Sequence, residues 1–231
     1  MNHQIKSKER VASYGEVFTN EREVKNMCNL VPKECLRIES KILEPACGNG
    51  NFLVEILKRK LITVEKLYKR SIFDFERYSL LSICCLYGVD ILQDNVEECK
   101  KRLFDIWDKK YSDLFKKDCS IEMRRAINYV LDRNILCGNA LTLMRVDTNC
   151  KDLGVPIIFP EWSLIGNKIK RRDFRLDVLL RAKDSSSDGD APLLEDELNL
   201  YLKKNPKTEE YFPLPVKEYS PVFYKNIINL N

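Results

Sequence analysis

The sequence predicts an α/β protein, and three observations carry that expectation. Residues 41–53 (KILEPACGNGNFL) read as a short apolar strand, a glycine turn and the start of a helix. Residues 86–91 (LYGVDI) and 134–141 (NILCGNAL) read as two further short strands, each closing on a polar side chain, Asp90 and Asn139. Helical patterns separate the three, and strands alternating with helices build parallel sheets.

Composition bounds the rest. A chain of 231 residues holds one good-sized core, or one domain and an appendage. Charged residues make up 32% and hydrophobic ones 44%, ordinary for a soluble globular protein. The net charge of +4 permits nucleic-acid contact without arguing for it. No apolar run is long enough to cross a bilayer and the first ten residues are polar, so neither a membrane span nor a signal peptide is expected. The nine cysteines form no C-x-x-C pair, and Cys84, Cys85 and Cys137 sit in apolar runs, where thiols behave as small core residues. That usage suits a reduced cytoplasm. His3 is the single histidine, which argues against a histidine-based triad or metal site, and no metal is expected.

Taken in order, residues 14–20 (YGEVFTN) lead into a helical pattern over 21–30. Thr19 or Asn20 can cap it, with Glu21 and Glu23 in its first turn. In the first strand unit Glu44 closes the strand, and Gly48 and Gly50 let the backbone approach a ligand with no Cβ in the way. The helix that follows, through Phe52, Leu53, Ile56 and Leu57, points its free N–H groups and positive dipole end into the same crevice. That combination suits a nucleotide-like cofactor. A nicotinamide dinucleotide fold would want a small residue three places after Gly50, where Leu53 is large.

Helices are then expected over 52–60, 63–70 and 73–85, before the strand that ends in Asp90. The two carboxylate oxygens of an acid placed there match the two vicinal hydroxyls of a ribose. Asp90 lies 40 residues past Gly50, against the ~20 of a simple βαβ unit, and the inserted helices account for the gap. A helix carrying Val96, Cys99, Leu103, Ile106 and Trp107 on one face follows, then another over 123–131 and the third strand.

The wording of these segments resembles a family. Glu44-Pro45-Ala46-Cys47-Gly48 with Gly50 and Phe52 resembles the E-P-A-C-G-x-G-x-F signature of S-adenosylmethionine-dependent methyltransferases, especially the adenine-specific DNA methyltransferases of restriction–modification systems. Residues 15–20 resemble the family's G-x-[VF]-[FY]-T-P segment, with Asn20 where proline is usual. Residues 135–141 resemble its I-x-x-G-D-A-L stretch, with Asn139 in place of the acid.

This resemblance covers about 14–143 and implies a Rossmann-like class I methyltransferase fold with S-adenosylmethionine as cofactor. It implies cofactor-binding roles for Phe18, Thr19, Glu44, Pro45, Ala46, Cys47, Gly48, Gly50, Asp90, Ile91, Asn139 and Ala140. Glu44, Gly48 and Gly50 would serve the methionine end, Asp90 the ribose and Asn139 the adenine, with Phe18 helping to close the pocket. The reaction implied is methyl transfer to adenine N6, with DNA as partner.

The resemblance then breaks. A fourth strand ending in N/D-P-P-Y/F should follow, because its amide and carbonyl groups accept hydrogen bonds from the target amine while its aromatic ring stacks on a flipped base. No N-P-P-Y occurs in the chain. Asn167 in LIGNKIK, Asp184 after the apolar run 176–180, and Asn205-Pro206 are the stand-ins, and Asn167 is the only catalytic candidate carried forward. A catalytically inactive cofactor-binding subunit of a methyltransferase or restriction complex, or a small-molecule methyltransferase, would have no need of the motif.

The remainder reads as poor in strands. Residues 155–165 suit one strand or a hairpin anchored by Trp162, 168–172 a solvated basic face, and 176–180 a strand. The expected domains are a cofactor-binding domain over 1–182, a flexible linker over 183–192, and a helix with an extended Pro- and aromatic-rich tail over 193–231. One or two further strands leave the sheet truncated and the first strand on an exposed edge, which soluble proteins avoid. The expectation is that residues 155–180, a protein partner or a second copy pairs with that edge.

Overall fold

The computed structural model describes residues 5–184, 200–208 and 210–230. Three short helices come first: α1 (Lys8–Tyr14), α2 (Glu21–Cys28) and α3 (Pro32–Leu36). Ser7 caps α1 through the amide of Arg10, Asn20 caps α2 through that of Glu23, and a proline opens α3. The central run is β1 (Ile42–Glu44), α4 (Asn51–Tyr68), α5 (Ile72–Cys84), β2 (Leu86–Asp90), α6 (Gln93–Phe115), α7 (Ile121–Asn134) and β3 (Ile135–Asn139).

β1, β2 and β3 are parallel neighbours, with Ile42 opposite Leu86 and Gly88 opposite Ile135. β4 (Met144–Val146) and β5 (Asp152–Pro156) extend this sheet antiparallel, giving the order β1-β2-β3-β4-β5. The protein is therefore α/β with a mixed sheet. β6 (Ile158–Ile165) and β7 (Lys168–Arg175) form a long hairpin, followed by α8 (Leu176–Asp184). β8 (Leu202–Lys204) pairs with β9 (Tyr211–Pro213), while β10 (Lys217–Glu218) and β11 (Val222–Phe223) both pair antiparallel with β7.

The alternation of a strand sorts the core into two faces. Leu86, Ile135 and Cys137 face a large apolar cluster with Leu53, Leu57 and Leu61 of α4, Ile83 of α5, Trp107 of α6 and Val130 of α7. Tyr87, Val89 and Leu136 face the other way and meet a thinner layer, Ile157, Phe159 and Leu176.

Several sequence expectations need correction. The helices expected over 52–60 and 63–70 are one, α4, because Ile62 and Thr63 weaken a helix without breaking it. The basic run at 168–172 is strand β7, and three of its four cations are paired: Lys170 with Glu218, Arg171 with Asp173, Arg172 with Glu161. The apolar run 176–180 is the start of α8, since leucines at 176, 179 and 180 fit helical spacing as well as a strand. Far more than one or two strands follow Asn139, each too short or too polar to stand out in sequence.

Residues 155–180 do not pair with β1: the end of β5 pairs with β4, β6 with β7, and β7 with the tail, and β2 is the only strand beside β1 among the described residues. The expected linker falls mostly outside the described residues, as does most of the helix expected over 193–204, whose described end, Leu202–Lys204, is β8. The tail is joined to the body: Tyr224 donates to the buried Glu76 at 2.6 Å and Lys225 at 2.9 Å.

Candidate functional site

A cavity of about 430 Å³ opens at the C-terminal ends of β1, β2 and β3. Its walls come from four segments: residues 14–19, the glycine turn 44–52, the end of β2 with the first turn of α6, and residues 138–141.

The glycine turn is held from both sides. Cys47 N–H donates to Val89 O at 2.8 Å, and Gly50 N–H returns to Cys47 O at 2.8 Å. Gly48 has φ 50°, and a Cβ on it would stand 3.1 Å from the ring of Phe18, which lies against the turn. Gly50 has φ 87° and abuts Cys99, whose Sγ would be 2.5 Å from a Cβ. Both positions thus require glycine. No side chain caps α4, and its first residues, Asn51 and Phe52, line the cavity. The unsatisfied N–H groups of a helix start favour negative or acceptor groups there.

Asp90 ties this turn to β2. Its Oδ2 accepts from Gly48 N–H at 2.9 Å, and its Oδ1 from Leu92 N–H at 2.9 Å and Asn95 Nδ2 at 3.1 Å. A carboxylate offers about four acceptor positions, so an open one remains for a ligand hydroxyl. Asn139 Oδ1 is engaged by its own turn, accepting from Leu141 N–H at 2.9 Å and Thr142 N–H at 3.4 Å. Its amide NH₂ is therefore the group left for a ligand. Glu44 accepts weakly from Ala46 N–H at 3.4 Å, and burial raises its carboxyl above the ordinary carboxylate value.

A polar network binds the N-terminal segment across the opening. Asn95, 1% exposed, donates to Glu16 at 2.7 Å and accepts from Lys6 at 2.8 Å. Arg10 pairs with Glu16 at 2.8 Å and with Asp94 at 2.6 Å. The Arg10 hydrogen bond, with help from Lys6, holds the Asp94 carboxyl down at about 2. α1 has no buried residue, so these ion pairs are its main attachment.

Of the residues expected at a cofactor site, Phe18, Thr19, Glu44, Pro45, Ala46, Cys47, Gly48, Asp90, Ile91, Asn139 and Ala140 all line this one cavity. Gly50 stands behind the wall as the N-cap of α4. Asn167 is elsewhere, exposed in the β6–β7 turn, where its backbone oxygen accepts from Tyr224 N–H at 3.2 Å. Asp184 is the last residue of α8, and Asn205-Pro206, between β8 and β9, does not line the cavity.

Sequence reasoning missed Glu16, Asn49 and Asn95 as wall residues. The available signal was weak: an asparagine in the first turn of an amphipathic helix that folding buries, and so obliges to find partners.

One wall residue carries an unsatisfied acceptor, which suits a ligand with a donor group such as an amine. Asn49 lines the cavity with a buried Oδ1 that has no hydrogen-bond partner, while its Nδ2 donates to Glu98 at 3.0 Å. A buried orphan acceptor calls for a ligand donor. Among the described residues no cluster of side chains is arranged to hold a metal ion, and no helix is long and apolar enough to cross a membrane.

No protein-family model, curated protein or solved structure matches the chain.

Proposed function

We propose that the chain is an S-adenosylmethionine-binding methyltransferase with a Rossmann-like core, serving methyl transfer to adenine N6 in DNA. One observation carries the reading. Glu44, the Gly48 turn, Asp90 and Asn139, spread over about a hundred residues of sequence, line a single cavity at the carboxyl ends of three parallel strands.

Bound there, S-adenosylmethionine supplies a methyl group on a sulfonium centre, already activated for attack by an amine. The chain's own work is binding and orientation. The open acceptor position of Asp90 suits a ribose hydroxyl, and the free amide of Asn139 suits a ring nitrogen of adenine. Glu44 and the orphan Oδ1 of Asn49 suit the ammonium of the methionine end. Phe18, half-buried over Gly48, closes the site against water.

A second reading has a specific observation in its favour. Among the described residues none beyond Leu141 lines the cavity, so the part of the chain where the resembled family carries its acceptor-holding motif brings no described group to it. On this reading the chain is a cofactor-holding subunit that another polypeptide completes.

Incubation with methyl-labelled S-adenosylmethionine and DNA separates the two. Label on adenine N6 with the purified chain alone supports the enzyme. Label held by the chain but absent from DNA supports the subunit. Label transferred to a small-molecule extract and not to DNA removes the DNA assignment.

A further inference from the structure

The N-terminal segment is seated on the cavity by charge, not by packing. α1 has no buried residue, and residues 5–18 contribute nothing to either apolar cluster. The described anchors lie on the first turns of α6. Lys6 stands 3.1 Å from Asp94 and 2.9 Å from Glu98, and Arg10 stands 2.6 Å from Asp94. Tyr14 adds a contact with Cys150.

The chain that follows is held differently. α2 buries Val24 and Cys28, and Thr19 O accepts from Asn51 Nδ2 at 2.8 Å, so the backbone is fixed from Thr19 onward. Between α1 and this fixed part lie residues 15–18, which line the cavity. Gly15 has φ 64°, and a Cβ on it would meet nothing within 4 Å. A glycine in open space can absorb a change of chain direction.

The anchors also reach the ligand side. Asn95, almost fully buried, accepts from Lys6 at 2.8 Å and donates to Glu16 at 2.7 Å and to Asp90 at 3.1 Å. One amide thus joins the ion pairs of the segment to a carboxylate in the cavity wall.

We propose that residues 5–18 form an ionic strap that opens and closes one wall of the cavity, its closure coupled through Asn95 to a ligand on Asp90. That the ligand is S-adenosylmethionine rests on the methyltransferase reading; the opening itself does not.

The reason is the kind of bond involved. Ion pairs with exposed partners hold weakly and are screened by salt, the Debye length falling from about 10 Å at 0.1 M to about 3 Å at 1 M. An element with few buried apolar contacts opens locally while the core stays folded. Lifting this one uncovers no core residue. Coupling is reciprocal, so a ligand that favours the closed strap is itself held better when the strap is closed.

The test is hydrogen exchange on the full chain at low and high salt. The reporters are the amides of Val11 and Gly15, which bond within α1 at 3.3 Å and 2.9 Å. A lifted helix of seven residues melts, so both amides then exchange freely. They should exchange about tenfold faster in 1 M sodium chloride than in 0.05 M, while α2 keeps its protection. Arg10→Gln should show the fast rate at both salts. Asp94→Asn should do the same, so the result does not hang on one variant. Neither residue lines the cavity.

Equal protection at both salts, or fast exchange at both in the wild type, would overturn the proposal. So would α2 opening together with α1, which would mean general loosening. Titration with S-adenosylmethionine on the same samples reads the coupling. Wild-type affinity should fall about fivefold at high salt, and Arg10→Gln should lose most of that dependence. Bound ligand should slow exchange at Val11 and Gly15, and binding that leaves both unchanged would overturn the coupling. A salt-sensitive strap without any binding sinks only the cofactor assignment, and binding over a salt-insensitive strap sinks only the strap.

Discussion

Asn139 shows how one atom alters what a binding site asks of its ligand. Its oxygen is spent on the amides of Leu141 and Thr142, so it presents a donor to the cavity. An aspartate would hold the same turn with one oxygen and present the other as an acceptor. With a ring nitrogen of the cofactor adenine accepting from that donor, Asn139→Asp should weaken S-adenosylmethionine binding by about five- to tenfold, the worth of one hydrogen bond. Calorimetric titration of the variant checks this, and unchanged or tighter binding would place the adenine ring nitrogen elsewhere. Glu44, Asp90 and Asn139 were legible in the sequence because each closes a short strand. Glu16 and Asn95 were not. They meet 79 residues apart in sequence through the seating of the N-terminal segment on α6, and no local pattern encodes that contact.

At the scale of elements, the β1–α4 unit was legible because strand, acid, glycines and helix start follow one another within a dozen residues. Its tightness at Gly50 makes a prediction. Gly50→Ala should cost about 2–3 kcal/mol, from a left-handed backbone and a clash with Cys99. Adding Cys99→Ala should recover the clash and leave about 1 kcal/mol for the backbone. Urea unfolding of the single and double variants reads both parts, and no recovery in the double variant would mean the cost is conformational alone. β7 and α8 were not legible. The cations of β7 look like solvated surface until Glu161 of β6 and Glu218 of β10 arrive as partners, beside Asp173 of the same strand. Leucines at 176, 179 and 180 suit either a helix or a strand, and the packing of Leu176 against Tyr87 and Val89 decides for α8 only in three dimensions.

For the molecule as a whole, the sequence led to expect a cofactor-binding body and an appended tail, and the structure shows how firmly the tail belongs. Glu76, fully buried on α5, receives hydrogen bonds from Tyr111, Tyr224 and Lys225, so one carboxylate joins α6, the tail and the large core. Glu76→Gln should destabilise the whole protein by about 2–4 kcal/mol, since it withdraws the charge that these three donors share. It should also speed proteolysis of the tail. Full stability with an intact tail would mean the network is replaceable. The sequence could not reveal this join, because its members lie up to 149 residues apart. It did anticipate a first strand left short of a partner, from the missing motif and the scarcity of obvious strands downstream. The strands exist, but they add to β3 or pair with one another, and among the described residues β1 has a single neighbour.

The central claim is that the cavity at the ends of β1, β2 and β3 holds S-adenosylmethionine. Calorimetric titration of the purified chain with that compound, beside Asp90→Ala, tests it most directly. The variant removes the acceptor of Gly48 N–H, Leu92 N–H and Asn95 together with the oxygen offered to the ribose. The account predicts one site per chain, with binding in the wild type weakened by about a hundredfold or more in the variant. No binding by the wild type, or equal binding by both, would contradict it.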